Sequence, residues 1–458
     1  MESAPTSSST SSSTSTAELR RELGFADLTL FAIACIVGPR WIAVAASAGP
    51  GSVTLWLAAA LAFAAPLGVA VAALVAKYPA AGGLYVWARE DFGPWHGFLC
   101  FWVYWFSIAL TLPGSAMFAM SVSAFTLGPE YASLADDRAY VVIASLISIW
   151  IALGTNLIGM KVGKWTENLG GITAWVLGIV LVFAGVMVWR KQGSATVLNF
   201  AADWNWDSLR FFGNLAFGLS GMEVLGMMGG EIRRPKRTII PAAWIGTAFT
   251  TVFYVSCTIA LLVLMQPSAI SELHGLADGG NVAARLLEMP WITPVITALV
   301  VINSVGGWGG LGAAVSRLPY AAGVDHLLPA AFGKLHPRWA TPYVSILVFG
   351  GVASFLLIVI QLGDSLNAAY QTLLSLMVLV GFLPYFYLFA SAWKCGHRIA
   401  AALGWAMTLL TVISSAVPSA EVTNVWLFEA KLVAGAALMI GSARLVFTRA
   451  SAKNAFSS

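Results

Sequence analysis

The sequence predicts an all-α polytopic membrane protein with twelve transmembrane helices, and three observations carry that reading. Apolar residues fill 59% of the 458 positions and charged residues only 10%, too few to give a soluble chain of this length a polar surface. Twelve apolar stretches are each long enough to cross about 30 Å of hydrocarbon as a helix. The basic residues between those stretches then fall mostly on one side.

In chain order, the spans are expected near 28–48, 53–76, 97–123, 139–157, 168–189, 211–230, 238–262, 292–313, 343–361, 368–390, 399–419 and 426–446. The first is interrupted by Gly38-Pro39-Arg40 and the sixth by Gly218-Leu219-Ser220-Gly221, each near mid-span. The fifth carries no ionisable side chain from Gly170 to Val188, and the eighth is weakened as a helix by the run Gly306-Gly307-Trp308-Gly309-Gly310. Residues 1–20 read as a disordered tail, because positions 1–16 are almost all Ser, Thr, Pro and Ala and lack the features of a secretory signal.

With the amino terminus inside, Arg20, Arg21, Lys77, Arg89, Lys161, Lys164, Arg233, Arg234, Lys236, Arg237 and Arg317 lie on the inner side, with most of the later basic residues. Arg138, Arg190, Lys191, Arg210 and Arg285 lie outside, and Lys431 lies near the outer end of the last span. Both termini are therefore expected in the cytoplasm, with the chain in the cell inner membrane or plasma membrane. The net charge of +4 reports this topology and attraction to an anionic lipid leaflet, and gives no reason to expect nucleic acid. Cys35, Cys100, Cys257 and Cys395 show no metal-ligand spacing, and the five histidines fall at loops or span ends. No metal, cofactor or catalytic constellation is implied, so an enzyme is not expected. The oligomeric state is left open, with Gly435 and Gly441 as weak packing cues.

The two interruptions point to function. Pro39 removes a backbone donor and clashes with the preceding turn, so the first helix opens there. Opened backbone in a bilayer is tolerated where it is buried in protein or lines a cavity, and paired broken helices mark the substrate site of secondary transporters. A plain proline kink, or glycines serving only close packing, would be the alternative. Arg40 is costly near mid-bilayer and needs a partner or water. Glu223 follows the second break and is the expected partner of Arg40, its protonation weakening the link. Glu231, at the inner end of the sixth span, is expected in an inner gate or local salt bridge, with Lys77 and Arg89 as its candidate partners. Tyr104, Trp105, Ser107 and Pro113 in the third span, Trp308 in the eighth, and Tyr385 and Tyr387 in the tenth are candidates for shaping the pocket or gating it. Asn303 and Ser304 are available as oxygen ligands for sodium or as bonds across helices.

Four elements together resemble the amino acid/polyamine/organocation transporter superfamily across nearly the whole chain after residue 20. They are the first-helix break; Lys77-Tyr78-Pro79 through Gly82-Gly83-Leu84-Tyr85 with Phe92-Gly93; Gly221-Met222-Glu223 followed by Glu231 through Pro235; and Ser316-Arg317 through Leu327-Leu328-Pro329 with His336-Pro337. The resemblance implies a LeuT-like fold of 5+5 inverted repeats plus two helices. Helices 1–5 would occupy 21–192, helices 6–10 would occupy 193–394, and the last two helices with the carboxyl terminus 395–458.

It also implies a substrate carboxylate held at Val37, Gly38, Pro39, Arg40 and Trp41, and an amino group held at Phe217, Gly218, Leu219, Ser220, Gly221 and Met222. Half-helix ends of opposite polarity suit a zwitterion. Many relatives have Gly-Ser-Gly where this chain has Gly38-Pro39-Arg40, and the arginine weakly resembles the glutamate/4-aminobutyrate antiporter branch. The lysine of the fifth helix found in several relatives is absent. The expectation is a secondary active transporter of amino acids or related amines working by alternating access. Proton coupling through Glu223, exchange and uncoupled facilitation are the open modes. A channel is disfavoured, because no repeated filter is visible.

Overall fold

The computed structural model describes residues 20–78, 82–202, 206–360, 366–416 and 425–455. The expected tail up to residue 19 and the Pro79-Ala80-Ala81 part of the first inner loop lie outside the described residues.

A helical segment underlies each of the twelve apolar stretches. The helices are α1 (Phe25–Ile36), α2 (Arg40–Ser47), α3 (Ser52–Ala59), α4 (Ala65–Lys77), α5 (Gly83–Phe92), α6 (Pro94–Ser123), α7 (Arg138–Leu157), α8 (Met160–Gln192) and α9 (Trp206–Gly218). They continue with α10 (Glu223–Met227), α11 (Pro235–Leu264), α12 (Gly275–Leu287), α13 (Ile292–Val324), α14 (Tyr343–Ile360), α15 (Leu366–Lys394), α16 (Arg398–Ser415) and α17 (Val425–Ala455). A π-helical turn, Ala60–Ala64, joins α3 to α4 as one span. Among the described residues, nine helices are long and apolar enough to cross a membrane, and α1 with α2 form a tenth span bent by 43°.

The outer faces suit lipid. Leu61, Ile179, Phe355, Val433 and Leu438 are exposed, a surface that water would not tolerate over so many helices. Trp165 and Trp189 stand exposed near the two ends of α8, about 36 Å apart at 1.5 Å per residue, where the polar edges of a bilayer would meet them.

Two expectations about spans are corrected. The fifth helix begins at Met160, not near 168, so two turns that the hydropathy reading left in a loop are helical. The eighth runs unbroken from Ile292 to Val324 through its glycine run. The reason is packing. A Cβ on Gly306 would lie 2.7 Å from the Gly170 Cα, and one on Gly307 would lie 2.5 Å from the Ala34 carbonyl oxygen. Across α8, a Cβ on Gly171 would lie 2.5 Å from the Leu30 carbonyl oxygen. These glycines let α8 and α13 close on each other and on α1, which places the first break at the centre of the bundle.

Candidate functional site

The first break follows from its sequence. The α1 ladder ends at Ile36, Val37 is extended, and Pro39 starts α2 without an amide to donate. The Gly38 amide does not wait for a ligand, because it donates to the Tyr254 hydroxyl at 2.8 Å, while that hydroxyl donates to the Ile36 carbonyl at 3.1 Å. Tyr254, from α11, is itself stacked on Trp56 at 4.3 Å. The sequence reading missed this pair of side chains, which come from the second and seventh spans and carry no motif.

The second break turns on Gly221. Its φ of +119° is open to glycine and strained for other residues, so the chain leaves α9 and re-enters a helix at Glu223. Glu223 is buried, and it accepts hydrogen bonds from the Tyr104 hydroxyl at 2.7 Å, the Tyr385 hydroxyl at 2.8 Å and the Gly221 amide at 3.1 Å. Three donors around one carboxylate tie α6 and α15 to the break.

Between the breaks lies a cavity lined by Val37, Gly38, Pro39, Arg40 and Trp41 from the first, and by Phe217, Ser220, Gly221 and Glu223 from the second. Tyr104, Ser107, Ser304, Trp308 and Tyr385 complete much of its wall, and Cys35 also faces it. Trp308 donates its indole N–H to the Ser115 hydroxyl at 2.9 Å, and Trp41 tilts against Phe217 at 5.9 Å.

Several expected site residues lie elsewhere. Gly218, Leu219 and Met222 do not line the cavity. A Cβ on Gly218 would press on Trp41 and Trp56, and Met222 packs toward Gly68 of α4, so both positions belong to the packing around the break. Trp105 and Pro113 are buried in the packing of α6, and Tyr387 bonds His96 at 3.0 Å, away from the cavity. Asn303 spends its amide on the Gly170 carbonyl at 2.9 Å, a bond across helices.

The expected Arg40–Glu223 ion pair is absent from the ion pairs of the described residues. Arg40 is buried with its guanidinium carbon 4.7 Å from the Trp41 ring centre and an Nη2 contact of 3.5 Å to the Met377 sulfur. The two charged groups thus stand in one cavity on different partners.

Glu231 does form a local salt bridge, but with a partner other than the Lys77 or Arg89 expected for it. Its partner is Arg317 of α13, which donates from Nε at 2.9 Å and from Nη2 at 2.7 Å, both side chains being at most 3% exposed. Lys77 instead pairs with Asp91 at 3.1 Å, and Arg89 with Glu90 and Asp325. Tyr85 also donates to Asp325. Burial works against the charge of Arg89, but the bond to Glu90 and the pull of Asp325 outweigh it and raise its pKa. Backbone bonds of Leu23 with Glu231 and Arg233, both 3.0 Å, lay the start of the chain over the same place. These ties join the residues before α1, the turn after α10, α5 and α13 at one end of the bundle.

One buried acid escaped the sequence reading. Glu167 lies on α8 in the turns that were expected to be loop. No group of three or more His, Cys, Asp or Glu among the described residues is arranged to hold a metal ion.

Two facing helix breaks around a central cavity, in a bundle with a lipid-facing exterior, define a membrane transporter of the LeuT-like class. The chain aligns with the crystal structure of MhsT in complex with L-phenylalanine at a TM-score of 0.63, covering 86% of this chain and 99% of that one; at 14% identity this likeness speaks to fold alone. Residues 23–439 match the amino acid permease family, and the chain belongs to it. It is similar to an uncharacterized transporter of Legionella pneumophila, 25% identical over 92% of this chain and 95% of that protein. It is also similar to the cadaverine/lysine antiporter of Escherichia coli, 25% identical over 69% and 70% of the two chains. The b(0,+)-type amino acid transporter 1 of Mus musculus is 24% identical over 74% and 70%. As a member of that family, the protein is a secondary transporter of amino acids or related amines.

Proposed function

We propose that the substrate is a zwitterionic amino acid or its amine relative, bound in the cavity between the two breaks. The observation that carries this is the presence of Arg40 and Glu223, opposite charges on separate partners, in the wall of the same cavity. A carboxylate belongs beside Arg40 and the start of α2, where guanidinium donors replace the amides that Pro39 lacks and Tyr254 occupies at Gly38. An amino group belongs at Ser220, Gly221 and Glu223, whose carboxylate keeps acceptor capacity beyond its three bonds.

In this reading Tyr104 and Tyr385 hold the second break through Glu223, Trp308 walls the pocket, and the Glu231–Arg317 pair is the inner gate. The side bearing that gate is cytoplasmic, as the basic residues argue, with both termini there and twelve spans arranged as two inverted repeats of five, 21–192 and 193–394, followed by two helices. The name of the Escherichia coli relative supports a second reading, exchange of an amino acid for an amine, over assignment to the glutamate/4-aminobutyrate branch.

The test is counterflow in proteoliposomes loaded with L-lysine, L-leucine, L-glutamate or cadaverine, against protein-free vesicles. Saturable counterflow that Arg40→Ala weakens for the amino acids and spares for cadaverine supports the reading. Equal behaviour of wild type and Arg40→Ala toward all four would contradict it.

A further inference from the structure

Glu167 has no solvent exposure, and neither of its carboxylate oxygens has a hydrogen-bond partner among the described residues. The Asn156 amide lies near enough to act on Glu167, but its N–H donors are directed to the Gly309 carbonyl at 2.9 Å and the Ala152 carbonyl at 3.4 Å. The charged or titratable groups whose fields act on it are Arg317 from α13, Glu231 from the turn after α10, and Asp27 and Cys35 from α1. Cys35 is also in the cavity wall, so Glu167 is within electrostatic reach of both the cavity wall and the Arg317–Glu231 pair.

A buried carboxylate without hydrogen bonds is among the costliest groups a membrane interior can hold, whereas the neutral acid is tolerated. In the closed state Arg317 spends Nε and one N–H of Nη2 on Glu231 and one N–H of Nη1 on the Ala313 carbonyl, and neither Glu167 oxygen receives a bond from it. If Glu231 moves away, the buried guanidinium is itself left without a carboxylate, a comparable cost.

We propose that Glu167 is a proton-carrying site and that Glu167 and Glu231 are alternative partners of Arg317 in the two states of the gate. With the gate closed, Arg317 holds Glu231 and Glu167 keeps its proton. As the gate opens, the O–H bond of Glu167 breaks, the proton passes to water in the cytoplasmic opening, and the carboxylate takes Arg317. Closing reverses the exchange, and Glu167 takes a proton from the cavity side past Cys35. One proton thus moves with each inward cycle. The inference rests on reading Glu231–Arg317 as the inner gate, and it moves the coupling proton from Glu223, which is already held by three donors, to a carboxyl that has none.

The test is infrared spectroscopy of the purified protein in lipid nanodiscs near neutral pH, following the C=O stretch of protonated carboxylic acids in H2O and D2O. Wild type is expected to show a band that is lost in Glu167→Gln and also lost in Glu231→Gln, because Arg317 then turns to Glu167 and ionises it. A spectrum unchanged by Glu167→Gln, or a Glu167 band that survives Glu231→Gln, overturns the proposal. In liposomes containing a pH dye, external L-lysine, L-leucine, L-glutamate or cadaverine that is transported should acidify the lumen of wild-type vesicles. The protons taken up per molecule transported should fall to none in Glu167→Gln, whose transport should also be slower because Arg317 then opens without a carboxylate, and an unchanged ratio of protons to substrate there also overturns the proposal. Silence of wild type toward all four compounds counts against the substrate reading, while the infrared comparison still decides the role of Glu167.

Discussion

Replacing Arg317 with methionine removes one half of a buried, two-point ion pair and strands Glu231, which is 2% exposed, among apolar neighbours. Breaking such a pair from one side costs about 3–5 kcal/mol, nearly all of it in the closed state, because the acid regains water when the gate opens. At about 1.4 kcal/mol per power of ten, the ratio of open to closed protein should rise by at least two orders of magnitude. A complete inversion from 1:99 to 99:1 needs about 5.5 kcal/mol. The remaining ties of Arg89 and Tyr85 to Asp325, and of Leu23 to its neighbours, keep the expected effect near the lower figure.

The native Cys35 in the cavity wall reports it. With Cys100, Cys257 and Cys395 replaced by alanine, a membrane-impermeant maleimide applied from the cytoplasmic side should label Cys35 about a hundredfold faster in Arg317→Met. The double variant Arg317→Met with Glu231→Leu should return to a slow rate, since an apolar pair of similar volume restores closed packing. An unchanged rate in the single variant, or no recovery in the double, would refute the gate argument.

Three further outcomes are expected. Arg40→Lys should retain part of the affinity that Arg40→Ala loses for amino acids, the full loss being about 10- to 150-fold for a charged hydrogen bond of about 1.5–3 kcal/mol, as read from concentration dependence of counterflow. Gly306→Ala should destabilise the fold by about 1–3 kcal/mol through its clash with Gly170, while Gly441→Ala, whose Cβ would meet nothing within 4 Å, should be neutral in the same unfolding assay. His274, in the loop before α12, has its pKa raised above 6.5 chiefly by its 2.7 Å hydrogen bond to Asp278. Its contribution to stability should therefore be complete below pH 6.5 and fade as pH rises through the higher folded value, a dependence that thermal unfolding of His274→Gln should lack.

The breaks were legible because Pro39 and the Gly218–Gly221 cluster act on their own backbone, and a local cause leaves a local trace. Partner choice was not. Arg40 and Glu223 stood out as buried charges of opposite sign, yet Glu223 is satisfied by tyrosines from two distant helices, and only the packed bundle reveals them. Glu231 was expected at the same end of the bundle as Lys77 and Arg89, but charge patterning assigns ends and not neighbours, and Arg317 was the group that α13 brought across. Glu167 was lost because a charged residue lowers hydropathy and moves the expected span edge past itself, to 168. The glycine run at 306–310 looked like weakness for the same reason that it is useful: without side chains, a helix can approach α1 and α8 until backbone meets backbone.

The most direct test of the central claim is whether a transported compound occupies the cavity between the breaks. In protein whose single cysteine is Cys35, each of L-lysine, L-leucine, L-glutamate and cadaverine would be added over a concentration series before maleimide, and labelling compared with counterflow. Compounds that are transported should protect Cys35 with the same half-saturating concentration that drives their counterflow, and the others should leave it unprotected. Saturable transport with no protection of Cys35 would contradict the account and move the substrate away from this cavity.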